Sequence, residues 1–526
     1  MNEIVVDPPR SRRNGSAGGA GGSGPAVVVL DETDNVGVAL RAIAPGETLT
    51  IGERVLAATD RIPTGHKIAL SGIPSGQRVV KYGQTIGKAS LAIQPGSHVH
   101  VHNLAFVASD AVHERGRCPP VEIDTTDTFE GYLRANGRVG TRNFIAVISS
   151  VNCSATVAHR IADGFDEASL TDFSEVDGVA AFTHGTGCGL AASGDGFDNL
   201  QRVIAGYSKH PNVGGVLLVG LGCEVSQIGT TIASEALEPG PLLRTMNIQS
   251  TGGTRATIEK GRAIVGEMLA DVNGISRTTQ PASKLMLALQ CGGSDAWSGI
   301  TANPALGYAA DLLVRQGGTA VLAETPEIYG AEHLLTRRAV TPEIADALLA
   351  RIRWWEEYVA RNDGSLDNNP SPGNKLGGLT TILEKSLGAV AKGGSTPLAG
   401  VYRYAERVDT PGFVFMDSPG YDPASVTGQI ASGCNLVAFT TGRGSAFGSK
   451  PAPCLKVATN STMHASLADD MDIDAGTIIS GTDDIETLGR ALYARLLAVA
   501  SGKRTRSEAQ GLGDHEFVPW QIGATM

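Results

Sequence analysis

The spacing of apolar positions divides the chain into stretches of different character. Between residues 26 and 108, short apolar runs are cut by turn signals such as "APGET", "IPSGQ" and "QPGSH", which predicts a small, mostly β module of short strands. Residues 109–128, "SDAVHERGRCPPVEIDTTDT", are polar and contain prolines, and predict a linker. Beyond them come longer continuous apolar runs: "NFIAVISSV", "GVAAFTH", "GVLLVGL", "KLMLALQ", "TAVLAET", "GFVFMDS", "LVAFTTG" and "CLKVATNS". Continuous runs suit parallel strands covered on both faces. Helical stretches such as "ALGYAADLLVRQGG" and "TPEIADALLARIRWWEEYVARN" lie between them. The expected fold is therefore a small β domain followed by a two-lobed α/β body with mainly parallel sheets. "DVNGISRTTQPAS", residues 271–283, reads as the division between a first lobe (129–275) and a second lobe (276–526). Residues 1–25, rich in Gly, Ser, Arg and Pro, predict a disordered tail.

Composition supports this reading and narrows the partners. Of 526 residues, 42% are hydrophobic and 18% charged, enough for a sizeable core. The 67 glycines and the 5% aromatic content suit many strand-to-helix turns. A net charge of −11 without a long basic run argues against nucleic acid and anionic membrane as partners. No apolar run reaches the roughly 18 residues of a spanning helix, and the N-terminal stretch lacks the apolar core of a secretory signal. The expectation is a cytoplasmic enzyme.

Candidate chemistry falls in three places. In "GSHVHVHNLAF", residues 96–106, His98, His100 and His102 alternate, so on a strand they would share one face. That face is either solvated or part of a metal or catalytic site. The seven cysteines form no CxxC pair and fit neither a disulfide framework nor a zinc-finger spacing. Four of them, Cys153, Cys188, Cys223 and Cys291, follow strand ends, where open α/β sheets gather ligands. Small buried side chains packing in turns remain the alternative reading. Cys153, Cys188 and Cys223 lie in one lobe and could converge on iron, as a mononuclear Fe(II) site or a cluster with one exchangeable iron. No local Cys–His signature supports a nucleophilic cysteine. Finally, "NPSPGNKLGG" (369–378) carries Asn374 and Lys375, "TTGRGSAFGSKP" (440–451) carries Arg443 and Lys450, and "CLKVATNS" carries Lys456 and Asn460. Gly-rich loops with cations suit a carboxylate. There is no GxxxxGK[ST], so a nucleotide is disfavoured.

These stretches also carry a family resemblance. "TGHKIAL", "YGQTIGKA" and "GSHVHVHN" are similar to the SAF-type domain of altronate dehydratases. "RANGRVGTRN", "VLLVGLGCE", "QCGGSDAWSGITANPALG", "AETPEIYGAEHLL", "NPSPGNKLGGLTT", "EKSLG", "FTTGRG" and "KVATNS" resemble their main domain. The resemblance covers residues 30–500. It implies loss of water from a sugar acid, altronate foremost, to give a 2-keto-3-deoxy acid. Galactarate or another sugar acid, C–S cleavage of a sulfo-acid, and non-catalytic sugar-acid binding are the alternatives. It also implies a divalent ion, Fe(2+) with Mn(2+) as the alternative, and a homo-oligomer, a dimer, is expected. The C2 proton is weakly acidic and hydroxide leaves poorly, so such an elimination needs a base, an acid and a metal. The expected metal ligands are Cys153, Cys188, Cys223 and His100. His66, Lys67, His98, His100 and His184 are the expected catalytic groups, with Lys67 binding carboxylate or carrying a proton. Asn374, Lys375, Arg443, Lys450, Lys456 and Asn460 are the expected substrate contacts.

Overall fold

Strands at Val27–Val28, Val36–Ala39, Lys67–Ala69 and His98–Val99 pair antiparallel in that order and form the main sheet of the N-terminal module. The computed structural model describes residues 25–109 and 111–525. All but the last residue of the expected tail, 1–25, thus lies outside the described residues. Two further small antiparallel sheets complete the module, one from Thr48–Ile51 and Arg54–Ala57, the other from Arg78–Lys81, Gln84–Ala89 and Leu104–Ala105.

Every one of the eight continuous apolar runs forms a strand of a parallel sheet. In the first lobe, Phe144–Ser149 pairs with Gly178–Phe182 on one side and Val213–Gly220 on the other, and Leu243–Asn247 lies outside the latter. The second lobe has seven parallel strands in the order Leu398–Tyr402, Gly412–Met416, Thr319–Leu322, Met286–Cys291, Leu436–Thr441, Cys454–Ala458 and Ile473–Asp474. Helices Ala302–Arg315 and Ile485–Ala500 pack together on this lobe, while Asp422–Ser432 packs against Asp195–Ser208 of the first lobe.

The division read at 271–283 contains a strand rather than only a boundary. Thr278–Pro281 pairs antiparallel with Thr128–Leu133, which also pairs with Val139–Gly140. Two of the chain's passages between the lobes are thereby tied to each other, and its C-terminal segment returns to the first lobe, where Phe517 packs on Phe182 and Thr525 pairs with Leu190. "TTQP" is polar and ends in proline, features of an edge strand that the sequence presents as a turn. The segment 111–127 has neither helix nor strand, yet it is anchored on the second lobe, with Gly116 N donating to Thr336 O (2.9 Å) and Cys118 N to Ala339 O (3.1 Å).

Apolar burial joins the parts. One core cluster takes Ile73, Val79, Ile86 and Leu104 from the module together with Leu287, Leu306, Leu322 and Phe415 from the second lobe. Another spans both lobes through Ile148, Leu218, Val414 and Phe439, and a third lies within the first lobe. No helix among the described residues is long and apolar enough to cross a membrane.

Candidate active site

The histidines gather, but through a turn. The strand ends at Val99, and Asn103 closes a turn by accepting from His100 N (2.9 Å) and donating to His98 O (2.9 Å). His98 and His100 then lie 5.4 Å apart, ring centre to ring centre, and His66 arrives from the neighbouring loop at 5.1 and 4.8 Å from them. His66 Nδ1 and His98 Nε2 share a hydrogen bond of 3.0 Å. His102 lies near His98 at 5.3 Å, its ring tilted by 43°, but is exposed. One ring nitrogen from each of His66, His98 and His100 falls within 4.8 Å of the other two. Burial, followed by neighbouring positive charge, pushes His98 down to about 4 and His100 to about 3. For His66, burial also lowers the value. These imidazoles are neutral at pH 7, the form that binds metal, and the buried His100 Nδ1 has no hydrogen-bond partner. The trio fits a divalent ion.

The cluster sits where the module meets loops at the carboxyl edge of the seven-stranded sheet. His66 Nε2 faces Leu376 O at 3.3 Å. A side chain at Gly378 (φ +98°) would bring its Cβ within 2.6 Å of Gly65 O, and a Cβ at Gly442 would meet Asp295 Cγ at 2.1 Å. Those two glycines let the "GNKLGG" and "TTGRG" loops close on the module and on Asp295. Asp295 is held by Thr459 Oγ1 (3.0 Å) and Asn460 Nδ2 (3.2 Å). Lys375 and Arg443 ride on these loops, half-buried and exposed respectively, and neither side chain has a hydrogen bond or ion pair among the described residues, although Lys375 attracts the Asp367 carboxylate.

Beneath this junction, where module and loops meet, lies a line of buried charge. Glu384 accepts from Lys67 Nζ (2.8 Å) and from Lys81 Nζ (2.8 Å), all three side chains being almost fully buried. Lys67 also donates to Gly378 O at 2.7 Å. One carboxylate cannot balance two ammoniums. Burial and the Lys81 charge outweigh Glu384 at Lys67 and bring it down to about 8. At Lys81, burial is overridden by Glu384, and the ammonium is held up. Glu384 itself, although burial opposes it, is kept well below the usual carboxylate range by the two lysines.

Lys385, the next residue on the helix Ile382–Val390, points to the other side. It donates to Glu327 Oε1 (2.7 Å) and Asn369 Oδ1 (2.7 Å). Nearby, Lys392 Nζ lies 2.9 Å from Cys291 Sγ and 3.4 Å from Glu324 Oε2. Glu324 adopts φ +71°, a strained conformation for a residue with a side chain, and its buried Oε1 has no partner. A small internal cavity lined by Tyr82, Cys291, Asp295, Ser298, Glu384 and Lys385 separates the two groups of charges. Cys291, Glu324 and Glu327 also bring ligand atoms together within 4.8 Å. Burial, however, pushes the thiol up to about 12, and two ammoniums already occupy the group. This set is a poor metal site.

The remaining expected residues are placed as follows. Cys153, Cys188 and Cys223 are exposed, on three neighbouring loops at the carboxyl edge of the four-stranded sheet. Those loops touch: Asn152 N donates to Thr186 O and Ser226 N to Gly187 O. Among the described residues the three thiols form no group with ligand atoms within 4.8 Å of one another, with or without His100, which belongs to the module's cluster with His66 and His98. His184 is buried against backbone, with Nε2 3.0 Å from Ser149 O and Nδ1 accepting from Thr186 N. Asn374, the third residue of the helix Pro372–Leu376, accepts from the capping Ser371 N and donates to Ser294 O (2.7 Å). Lys456 is buried and donates to Ser445 O, and Lys450 pairs with Asp514. Asn460 caps the helix Ser461–Ser466. Sequence reasoning did not single out Glu384, Lys385, Lys392, Glu324, Glu327, Lys81 or Asp295. Acids and lysines inside otherwise apolar segments such as "ILEKSLGAVAKGG" were the available signal.

A two-lobed α/β body with a histidine-bearing β module docked on a sheet's carboxyl edge, above a buried network of acids and lysines, is an arrangement suited to acid–base chemistry. The family models for the altronate/galactarate dehydratase SAF domain (residues 25–106), the D-galactarate dehydratase/altronate hydrolase second domain (131–273) and the D-galactarate/altronate dehydratase C-terminal domain (282–525) all match, and the chain belongs to this family. It is 36% identical over 503 residues to the altronate dehydratase of Bacillus subtilis, covering 95% of this chain and 99% of that protein. Against the galactarate dehydratase (L-threo-forming) of Escherichia coli it is 37% identical over 502 residues, 92% of this chain and 95% of the relative. The (2R)-sulfolactate sulfo-lyase of Chromohalobacter salexigens matches as two chains. Its subunit beta is 31% identical over 394 residues (74% of this chain, 96% of the subunit), and its subunit alpha 38% over 84 residues (15% and 89%).

Proposed function

We propose that this chain is a hydro-lyase that removes water from a sugar acid to give a 2-keto-3-deoxy acid, with altronate as substrate and a divalent ion, Fe(2+), as cofactor. The observation that carries this reading is the neutral imidazole trio at the module's docking edge, together with two loop cations, Lys375 and Arg443, that make no hydrogen bond or ion pair among the described residues. His66, His98 and His100 would hold the ion, which supplies Lewis acidity toward substrate oxygens. Arg443 and Lys375 bind the carboxylate, and that contact strengthens as charge moves onto it when C2 loses its proton. We assign Lys67, its pKa lowered by burial and its Nζ held by Gly378 O and Glu384, to carry that proton. Glu384 positions it and takes no part in the bond changes. The module also covers the site, which keeps water from the carbanion-like intermediate.

The test is turnover of a panel, altronate, galactarate and sulfolactate, by protein stripped with chelator and reloaded with Fe(2+), with 2-keto acid as the readout. Altronate should react fastest, only after reloading, and His100→Ala should bind less iron. A preference for galactarate would move the substrate within the family. Full turnover by metal-free protein would remove the ion from the reaction, and no turnover of any sugar acid would overturn the reading.

A further inference from the structure

A second cationic site lies away from the junction of module and loops. A cleft of about 370 Å³ opens between the two lobes, at the end of the four-stranded sheet where its strands begin. The first lobe contributes Arg138, in the turn preceding that sheet, and Arg202, on the helix Asp195–Ser208. From the second lobe come Arg403 and Arg407, on the loop that follows the strand Leu398–Tyr402. The guanidiniums face like charge across the cleft: Arg407 repels Arg138, and Arg403 repels Arg202. Neutral partners hold two of them in place. Arg138 donates to Lys209 O (2.9 Å), and Arg202 donates to Tyr404 O (2.9 Å) and Asn199 Oδ1 (2.6 Å). Arg138, Arg202 and Arg407 make no ion pair among the described residues, and the Arg407 side chain has no hydrogen bond either. Three acids also line the cleft: Asp198, Glu406 and Glu235 partly offset the repulsion at Arg202, and Glu406 pairs with Arg403 at 3.5 Å, but none of them acts on Arg138 or forms an ion pair with Arg407 among the described residues. Between the two loop arginines, Ala405 is held at φ +57°, a conformation a residue with a side chain seldom adopts.

Like charges held facing one another across a cleft of metabolite size, in a chain of net charge −11, are the arrangement expected of an anion site rather than of a structural contact. We propose that this interlobe cleft binds a small polyanion with two anionic groups, phosphate or carboxylate, one between Arg138 and Arg407 and the other between Arg202 and Arg403. Each group would meet one arginine from either lobe, so the ligand would bridge the lobes and stabilise their packing.

Calorimetric titration of the full chain at low ionic strength, with pyrophosphate and citrate as probes, tests this. Binding of at least one probe, with a rise in melting temperature, is expected, and the stronger of the two identifies phosphate or carboxylate as the preferred group. Arg407→Ala and Arg403→Ala, both at exposed positions, should each weaken it by about tenfold or more while leaving sugar-acid turnover unchanged. Arg443→Ala should leave probe binding unchanged. No heat with either probe at up to about 10 mM, a range that covers even weak sites, would overturn the proposal. So would binding insensitive to Arg407→Ala, or binding abolished by Arg443→Ala, which would place the probe in the sugar-acid site.

Discussion

Arg443 and Lys450 belong to the same Gly-rich loop and differ in what they touch. The Arg443 guanidinium is exposed and unpartnered, and its backbone N–H is fixed by Gly293 O at 2.9 Å. Lys450 is paired with Asp514, whose side chain is 59% exposed. A charge-assisted hydrogen bond to a substrate carboxylate contributes roughly 1.5–3 kcal/mol. Arg443→Ala should therefore lower kcat/KM by at least about tenfold. Arg443→Lys should recover part of it, because an ammonium cannot form the two-pronged contact. An exposed pair contributes about 0–1 kcal/mol, so Lys450→Ala should leave kinetics and melting temperature nearly unchanged. Steady-state kinetics on the three variants separate the two residues. Deeper in, Glu384→Gln removes the one negative charge between two buried ammoniums. Breaking a buried pair on one side costs about 3–5 kcal/mol, so chemical denaturation should show a loss of that order, unlike any of the loop variants.

Helix starts organise the chemistry at the next scale. Asp422 begins the helix Asp422–Ser432 beside the buried cluster, half-buried, and burial followed by the charge of Glu327 pushes its carboxyl up to about 6. An unfolded chain releases that proton near 3.9, whereas the folded one keeps it until about 6. The folded state thus holds more protons in between, and its stability falls as pH rises through that window. Asp422→Asn removes this loss. It should melt a few degrees above the parent at pH 7, on the order of 1–2 kcal/mol after allowing for partial exposure, and the two should converge below pH 4. Thermal melts across that range check the sign. Elements of this kind were legible in the sequence to unequal degrees. All eight continuous apolar runs became strands, and seven of them are buried along nearly their whole length, so that even with Gln290 or Lys456 inside them the apolar run dominates the pattern; Gly178–Phe182, at a sheet edge, is half-exposed. Leu398–Tyr402, half-exposed along most of its length, and Leu243–Asn247, with Arg244 and Thr245 inside it, carry no such run. The histidine alternation pointed to two residues that do gather, His98 and His100, but not through a continuous strand. Two hydrogen bonds from Asn103 replace the strand by a turn, and His66, 32 residues before His98, completes the group through tertiary contact. Glu384 and Lys385 look alike in "ILEKSLG", and only the folded helix shows that they serve opposite sides.

At the scale of the whole molecule, the module and the body share one interior. Ile73, Val79, Ile86 and Leu104 pack in the same cluster as the second lobe's strands, and Lys67 and Lys81 close on Glu384 behind them. Simply deleting residues 1–108 would strip that cluster of a wall and leave a buried carboxylate without its cations, so loss of activity in such a truncation would say little about catalysis. The sulfo-lyase relative, with its subunits alpha and beta matching 84 and 394 residues, suggests a better cut. The polar segment 111–127 carries no helix or strand, and its backbone bonds, at Gly116, Cys118 and Asp124, are to the body rather than to the module. Breaking the chain just after the module, at residues 107–109, should therefore leave both surfaces intact. Co-expressed as two chains, residues 1–108 and 109–526 should associate and regain turnover, since the contact is a large apolar face keyed by buried lysines rather than a product of chain connectivity. Placing Glu384→Gln in the larger chain should weaken that association far more than Arg443→Ala in the same chain, because only the first leaves two ammoniums unpaired in the interface. Copurification on a tagged module, followed by turnover of the recovered pair, reads both. Recovery of the separate chains without association would mean that the linker itself holds the module in place.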